Sequence, residues 1–419
     1  MAQRRSGRAT SRTLVRVSAL LAGLAPLPAQ AQPTPDDDQT ASVLDLDRPG
    51  YNPRTIRVKS ITITPELDFG TVYDSNVYAA PQDRRDDAVF TLRPSLAAQD
   101  DEGRLRWRAE AYALARRYAK NSREDNETYG ASIRSAVDVN NAITLGGAAG
   151  YRRAVENRSD PEVRQNPQLG PPLFDVLNGE LTGAVTMGKL GISAKGQVEK
   201  YDFVSPANDD RDFTSYRGTL RLLYRLGAAI SAFGQGYVNQ RRFRLRDPVT
   251  RLDRNGRTMG GLVGVQVNPG GKVRGDLGAG VFRYNPEDPS LPSFTGFALE
   301  GSLTYVPRRR TAVILDVFSG DVATVRNGAT GRMDRRARVT IQQEIRHNLL
   351  ASLGLRYRQT RYRGVDARLT TVGADGDLEF LVNRHLSLAA TAQISKRTAW
   401  DPRDRFERVR AGLEIRYRF

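Results

Sequence analysis

Cysteine is absent from the 419 residues, and histidine occurs only at His347 and His385. The first absence excludes disulfides and cysteine-ligated metals. The second leaves little for a hydrolase, which usually sets a histidine base beside a serine or an acid. Beyond the amino terminus no apolar run approaches the ~20 residues of a membrane-spanning helix. No EF-hand spacing accompanies the acidic pairs, and Gly270, Gly271 and Gly275 do not precede a helix as a phosphate-cradling loop would. Neither a metal, a cofactor nor an enzymatic activity is expected.

What is abundant is charge on alternate residues. From Val409 to Phe419 the apolar row Val409, Ala411, Leu413, Ile415, Tyr417 and Phe419 opposes Arg410, Gly412, Glu414, Arg416 and Arg418. That period of two is a strand with one face for hydrocarbon and one for water. Similar stretches recur about every twenty residues from Ile61 onward. Leu105, Trp107, Ala109, Ala111 and Ala113 alternate with Arg106, Arg108, Glu110 and Tyr112, and Tyr216, Gly218, Leu220, Leu222 and Tyr224 alternate with Arg217, Thr219 and Arg221. The mean hydropathy of −0.51 suits this pattern, because the water-facing half of each strand lowers the average.

Short links such as Asn140-Asn141, Met187-Gly188, Pro269-Gly270-Gly271 and Arg346-His347 take turns with longer polar ones, including 72–87, 154–174, 242–257, 319–334 and 397–405. One rim of tight turns and one of loops implies an all-β, antiparallel, up-and-down transmembrane barrel over 60–419, with about eighteen strands or, as the other count, sixteen. Barrels of that size generally enclose an aqueous channel. Tyr129, Tyr151, Tyr216, Phe297 and Tyr357 then fall outward near the loop rim. Trp107, Tyr224, Tyr305, Phe380, Tyr417 and Phe419 fall outward near the turn rim, as two interfacial girdles.

The amino terminus reads as an address. Arg4, Arg5, Arg8, Arg12 and Arg16 precede a short apolar segment and Ala29-Gln30-Ala31, so 1–31 is expected to be a secretory signal. Its loss would lower the formal charge from +17 to +12. Residues 32–59, with Pro33, Pro35, Asp36 to Asp38 and Pro49-Gly50, read as a mobile periplasmic lead-in.

Two stretches resemble known families. Arg410, Gly412, Ile415, Tyr417 and the terminal Phe419 are similar to the assembly signal of bacterial outer-membrane barrels, which implies an outer-membrane location and the barrel assembly machinery as a partner, alongside membrane lipid. Arg48-Pro49-Gly50-Tyr51-Asn52-Pro53, followed by Ile63 to Phe69 and Tyr73-Asp74-Ser75-Asn76-Val77-Tyr78, resembles the opening of the bacterial outer-membrane β-barrel porins of the second type. The resemblance implies an association with exopolysaccharide production or export and carries no catalytic or binding residue onto this chain.

Candidate binding residues come from the inward rows. A turn at His347 places Arg336 opposite Arg358 and Arg338 opposite Arg356, and like charges across a strand pair repel. Asp375, Asp377 and Glu379 on the next strand are the expected counter-charges. Such a cluster reads either as a wall network or as a stripe that attracts small anions or acidic polysaccharide. A second group, Arg93, Arg106, Arg108, Arg134 and Arg152, has Glu110 and Asp138 among it and reads as neutralised wall charge. The interior is expected to be wet and charged rather than greasy. Basic residues are interleaved with acids and form no single stripe for nucleic acid, which is not expected as a partner. A channel for polar solutes is therefore the leading expectation. The competing one is a non-conducting structural or docking barrel, plugged by its own salt bridges or by the loop at 154–174, which carries Pro161, Pro167, Pro171 and Pro172.

Overall fold

A computed structural model of the protein describes residues 43–163, 170–267 and 271–419. The expected signal at 1–31, the start of the lead-in, Pro167, and Pro269 and Gly270 of one expected turn lie outside them.

Eighteen antiparallel strands close on themselves. A short β1 (Ile56–Val58) folds back on the start of β2 (Ile61–Asp74). Then follow β3 (Asp87–Asp100), β4 (Leu105–Tyr118), β5 (Asn126–Asp138), β6 (Ile143–Val155), β7 (Leu173–Met187), β8 (Leu190–Phe203) and β9 (Phe213–Arg225). The second half runs through β10 (Ile230–Phe243), β11 (Gly256–Val267), β12 (Val273–Pro286), β13 (Phe294–Arg308) and β14 (Thr311–Val322). It ends with β15 (Gly331–Arg346), β16 (Leu349–Arg363), β17 (Arg368–Leu381), β18 (Leu386–Ala399) and β19 (Phe406–Arg418). Each strand from β2 pairs with the next, and β19 returns to β2 in a register running from Arg410↔Asp74 to Arg418↔Glu66. Closure removes the sheet edge, so no backbone row is left unpaired in a medium without water.

Alternation in sequence becomes alternation in space. Along β8, Leu190, Ile192, Ala194, Gly196 and Val198 face out while Ser193, Lys195, Gln197 and Glu199 face in. Leu181, Val263 and Leu413 are 74%, 73% and 69% exposed on the outer wall. A surface of that kind, repeated around the barrel, belongs against hydrocarbon. Most of the expected girdle residues are exposed there too, including Tyr216, Phe297, Tyr305 and Phe380, and Tyr129 and Tyr151 lie beside one another with ring centroids 6.2 Å apart.

The inner wall differs from expectation on one side. The inward rows are charged on both sides, with Lys195 beside Glu180, Arg217 beside Glu300 and Arg221 beside Asp276 on β7–β13, but there they also carry an aromatic lining. Phe174, Tyr201, Phe213 and Phe243 form a chain of ring contacts, with Tyr201 and Phe213 stacked at 4.7 Å. Leu262, Phe282 and Ala298 form a second apolar cluster. Inward rings hide from an alternation test because they read as outward apolar residues or as breaks in the pattern.

The described part of the lead-in is also fixed rather than free. Arg48 is buried, donates to the carbonyls of Val43, Leu44 and Leu46 at 2.7, 2.8 and 2.9 Å, and lies 3.3 Å from Glu344 near the turn end of β15. Val43 adds a bond from its N–H to Gln342 at 3.2 Å. The segment thus crosses from β2 to a wall strand five places round the barrel.

Candidate functional site

Pairing of β15 with β16 around the turn at His347 sets Arg336 against Arg358 and Arg338 against Arg356, as the spacing requires. Four guanidiniums meet on one inward patch. Their counter-charges are only partly the expected ones. Asp375 serves the lower rung, 2.9 Å from Arg338 and 3.0 Å from Arg356. Glu379 instead bonds Ser387 at 2.7 Å and lies 3.4 and 3.1 Å from Arg416 and Arg418. Asp377 makes no ion pair among the described residues. The strands are staggered, so residues further along β17 face the end of β19 rather than the arginine rungs.

The upper rung depends on a residue that sequence reasoning missed. Asp334 is fully buried and lies 2.8 Å from Arg332, 3.2 Å from Arg336 and 2.9 Å from Arg358, and it also accepts from the Thr360 hydroxyl at 2.9 Å. The signal was present, since Arg332, Asp334, Arg336 and Arg338 occupy consecutive inward positions of one strand. Of the other expected group, Arg106 lies 3.1 Å from Asp138, Arg108 2.5 Å from Glu110, and Arg93 3.8 Å from Asp68. Arg410 faces inward and donates to Gln393, whereas Ile415, Tyr417 and Phe419 point to the outside.

Above the arginines the barrel is filled by its own chain. The connection after β6 turns inward over 156–163. Glu156 holds Arg211 at 2.9 and 2.5 Å, and Arg158 holds Glu124 at 2.7 and 3.2 Å. Asn157 accepts from Arg408 at 3.1 Å, and the Ser159 carbonyl accepts from Arg397. Glu162 lies 2.9 Å from Arg332 and accepts from the Tyr362 hydroxyl at 2.7 Å, the Val325 N–H at 2.6 Å and the Thr324 hydroxyl at 3.1 Å. Sequence patterns of strands say nothing about where a loop packs, so of this arrangement only the inward fold was foreseeable.

On the aromatic side a cavity of about 50 Å³ lies between Glu199, Tyr201, Arg217, Tyr237, Glu300 and Asp321. It has room for water and not for a sugar ring. Arginines lie over rings here as well, with Arg221 3.7 Å from the centre of Phe233 and Arg217 4.5 Å from that of Tyr237. The lumen is therefore an arginine wall facing an aromatic wall, with a polar loop between them at one end.

Solved structures with a similar course of chain are the siderophore receptor PirA from Pseudomonas aeruginosa (10% identity, 85% of this chain and 80% of that one, TM-score 0.42), the FrpB iron transporter from Neisseria meningitidis (9%, 85% and 81%, TM-score 0.41) and OmpT of Vibrio cholerae (9%, 87% and 100%, TM-score 0.39). Similarity at this level says nothing about what passes through the barrel. No curated protein sequence matches the chain. Residues 48–419, which include the whole barrel and the buried Arg48, match the family described as putative beta-barrel porin 2, and the chain belongs to that family of bacterial outer-membrane proteins.

Proposed function

We propose that this barrel is a channel for polar solutes, anionic or saccharide in nature, and that it acts without catalysis, in exopolysaccharide export. The observation that carries the reading is the imbalance on the arginine wall. The two rungs bring together Arg336, Arg338, Arg356 and Arg358, while among the described residues the wall supplies only Asp334 and Asp375 in contact with them. A row of guanidiniums short of acids biases a pore toward anions and can grip carboxylates in bidentate fashion. Both histidines lie at the turn rim, away from the loops where surface chemistry would occur. Arg410, Gly412, Ile415, Tyr417 and Phe419 are the residues we assign to recognition by the assembly machinery.

Single-channel recording in planar bilayers tests the reading. The parent should conduct with a preference for anions, and Arg336→Ala with Arg338→Ala should move the permeability ratio toward cations. A second reading, a docking barrel of the envelope, is favoured by the loop that fills one end of the lumen. A folded barrel with no conductance at either polarity would establish that alternative over the channel.

A further inference from the structure

Three guanidiniums, those of Arg332, Arg336 and Arg397, face the inward loop with Arg358 behind them, and the wall meets Arg332, Arg336 and Arg358 with one carboxylate, Asp334. The loop brings two more. Glu162 is 2.9 Å from Arg332, and Asp160, itself 4% exposed, lies in the field of Arg336 and Arg397. Buried guanidiniums of this number are costly unless anions accompany them.

We propose that the loop segment 156–163 is an internal occupant of an anion site, and that a ligand bearing several carboxylates competes with Asp160 and Glu162 for Arg332, Arg336, Arg358 and Arg397. The inference rests on the channel reading only in that such a ligand would be the channel's cargo or its regulator.

Three features separate an occupant from a piece of wall. First, Asp160 and Glu162 are joined to the wall by no strand ladder. The carboxylate of Glu162 makes the ion pair to Arg332 and accepts bonds from Tyr362, Thr324 and the Val325 N–H, all of which another carboxylate can accept. Second, the fit is incomplete. Asp160 Oδ2 is buried without a hydrogen-bond donor, and Arg336 Nε and Nη2 have no hydrogen-bond acceptor, although Nη2 lies 3.2 Å from Asp334. A ligand could satisfy both sides better than the loop does. Third, the loop backbone is held by groups other than these four arginines: Glu156 pairs with Arg211, Arg158 pairs with Glu124, Arg211 donates to the Glu162 carbonyl at 3.2 Å and the Tyr362 hydroxyl to the Pro161 carbonyl at 3.1 Å. The carboxylates of Asp160 and Glu162 can therefore turn away from the arginines while the backbone of the connection stays in place.

The test is calorimetric titration of the full chain in detergent with tetragalacturonate, using uncharged maltotetraose as the control. Asp160→Asn with Glu162→Gln empties the site of its internal anions and should tighten tetragalacturonate binding by about tenfold or more relative to the parent, the factor expected for one freed charge-assisted contact. Adding Arg336→Ala to that variant should reverse the gain, and maltotetraose should bind none of the three. Retention of the compact band of a folded barrel on unheated gels verifies each variant, and Asp160→Asn alone replaces the double variant if the latter does not fold. Equal affinity for tetragalacturonate in parent and variant, no binding to either, or a gain that survives Arg336→Ala would overturn the proposal. Because the titration needs no open pore, a barrel that never conducts would remove the channel reading while leaving this result to stand or fall by itself.

Discussion

Arg48 and Glu344 lie 3.3 Å apart across nearly three hundred residues of sequence, and both are buried. The pair ties the lead-in to β15 close to the turn rim. Glu344 has other company, Arg310 at 3.3 Å and His347 at 3.1 Å, whereas Arg48 is what organises the carbonyls of Val43, Leu44 and Leu46. Loss of the arginine should therefore free the lead-in and spare the barrel. Arg48→Ala is expected to speed proteinase K cleavage within 43–55 by about tenfold or more, since a broken buried pair is worth several times 1.4 kcal/mol. Mass spectrometry of the fragments reads this directly, and an unchanged cleavage rate would show that the segment is held by something else.

Asp334 and Asp377 offer a contrast on inward rows two strands apart. Asp334 is the acid shared by Arg332, Arg336 and Arg358. Asp334→Asn leaves three buried guanidiniums without their anion and should cost about 3–5 kcal/mol in guanidinium unfolding of the barrel in lipid vesicles. Asp377→Asn removes a charge that makes no ion pair among the described residues and on which the pull of Arg416 is opposed by Glu379 and Glu414, so it should stay within about 1 kcal/mol of the parent. Equal effects of the two would refute the assignment of counter-charges.

That contrast also marks where sequence reading succeeds. Alternation locates every barrel strand to within a few residues, because the period of two follows from having lipid on one side and water on the other. The rungs Arg336–Arg358 and Arg338–Arg356 are legible because a tight turn fixes the register of its two strands. Which of the acids on β17 reaches the rungs is not, because that depends on the stagger around the barrel, which no local pattern carries. The inward rings of Phe213, Tyr237 and Phe282 are obscured for a related reason: they look like the outward residues of a strand whose phase has slipped. The docking of Glu162 and Arg48 is a matter of loop packing, and no periodicity encodes it.

Acid should loosen the loop rim at Asp247. Burial alone would raise this carboxyl, but hydrogen bonds from the Thr250 and Val249 N–H groups at 2.8 and 3.0 Å, from the Thr250 hydroxyl and from the Gly328 N–H at 3.4 Å outweigh it and hold the group below its ordinary 3.8. A carboxylate favoured in the folded state contributes stability that is present above 3.8 and lost as the pH falls through the lower, folded value. Protection of the Val249, Thr250 and Gly328 amides from hydrogen exchange, corrected for intrinsic rates, should therefore fall as the pH drops below about 3.8 in the parent. In Asp247→Asn it should be reduced already at neutral pH and independent of acid. Protection that falls equally in both proteins would place the acid-sensitive group elsewhere.

Glycine on the inward row of β11 tests the aromatic wall. Gly264 pairs with Phe233 on one side and Gly278 on the other, and a methyl group there would fall 2.5 Å from the tip of the Phe233 ring, 2.7 Å from the Gly278 backbone, and against the Leu277 carbonyl oxygen. The ring could swing aside, but the backbone of β12 cannot retreat without lengthening the ladder that joins it to β11. Gly236, on the outward row of β10, would meet nothing within 4 Å. Gly264→Ala is accordingly expected to lose about 1–3 kcal/mol through overpacking, while Gly236→Ala should be neutral or slightly stabilising, since alanine restricts the unfolded chain. The temperature at which the compact gel band gives way to the unfolded one ranks the two. If Gly264→Ala melts with the parent, the rings of this wall do not rest on the glycines as described, and the lumen is wider there than the structure places it.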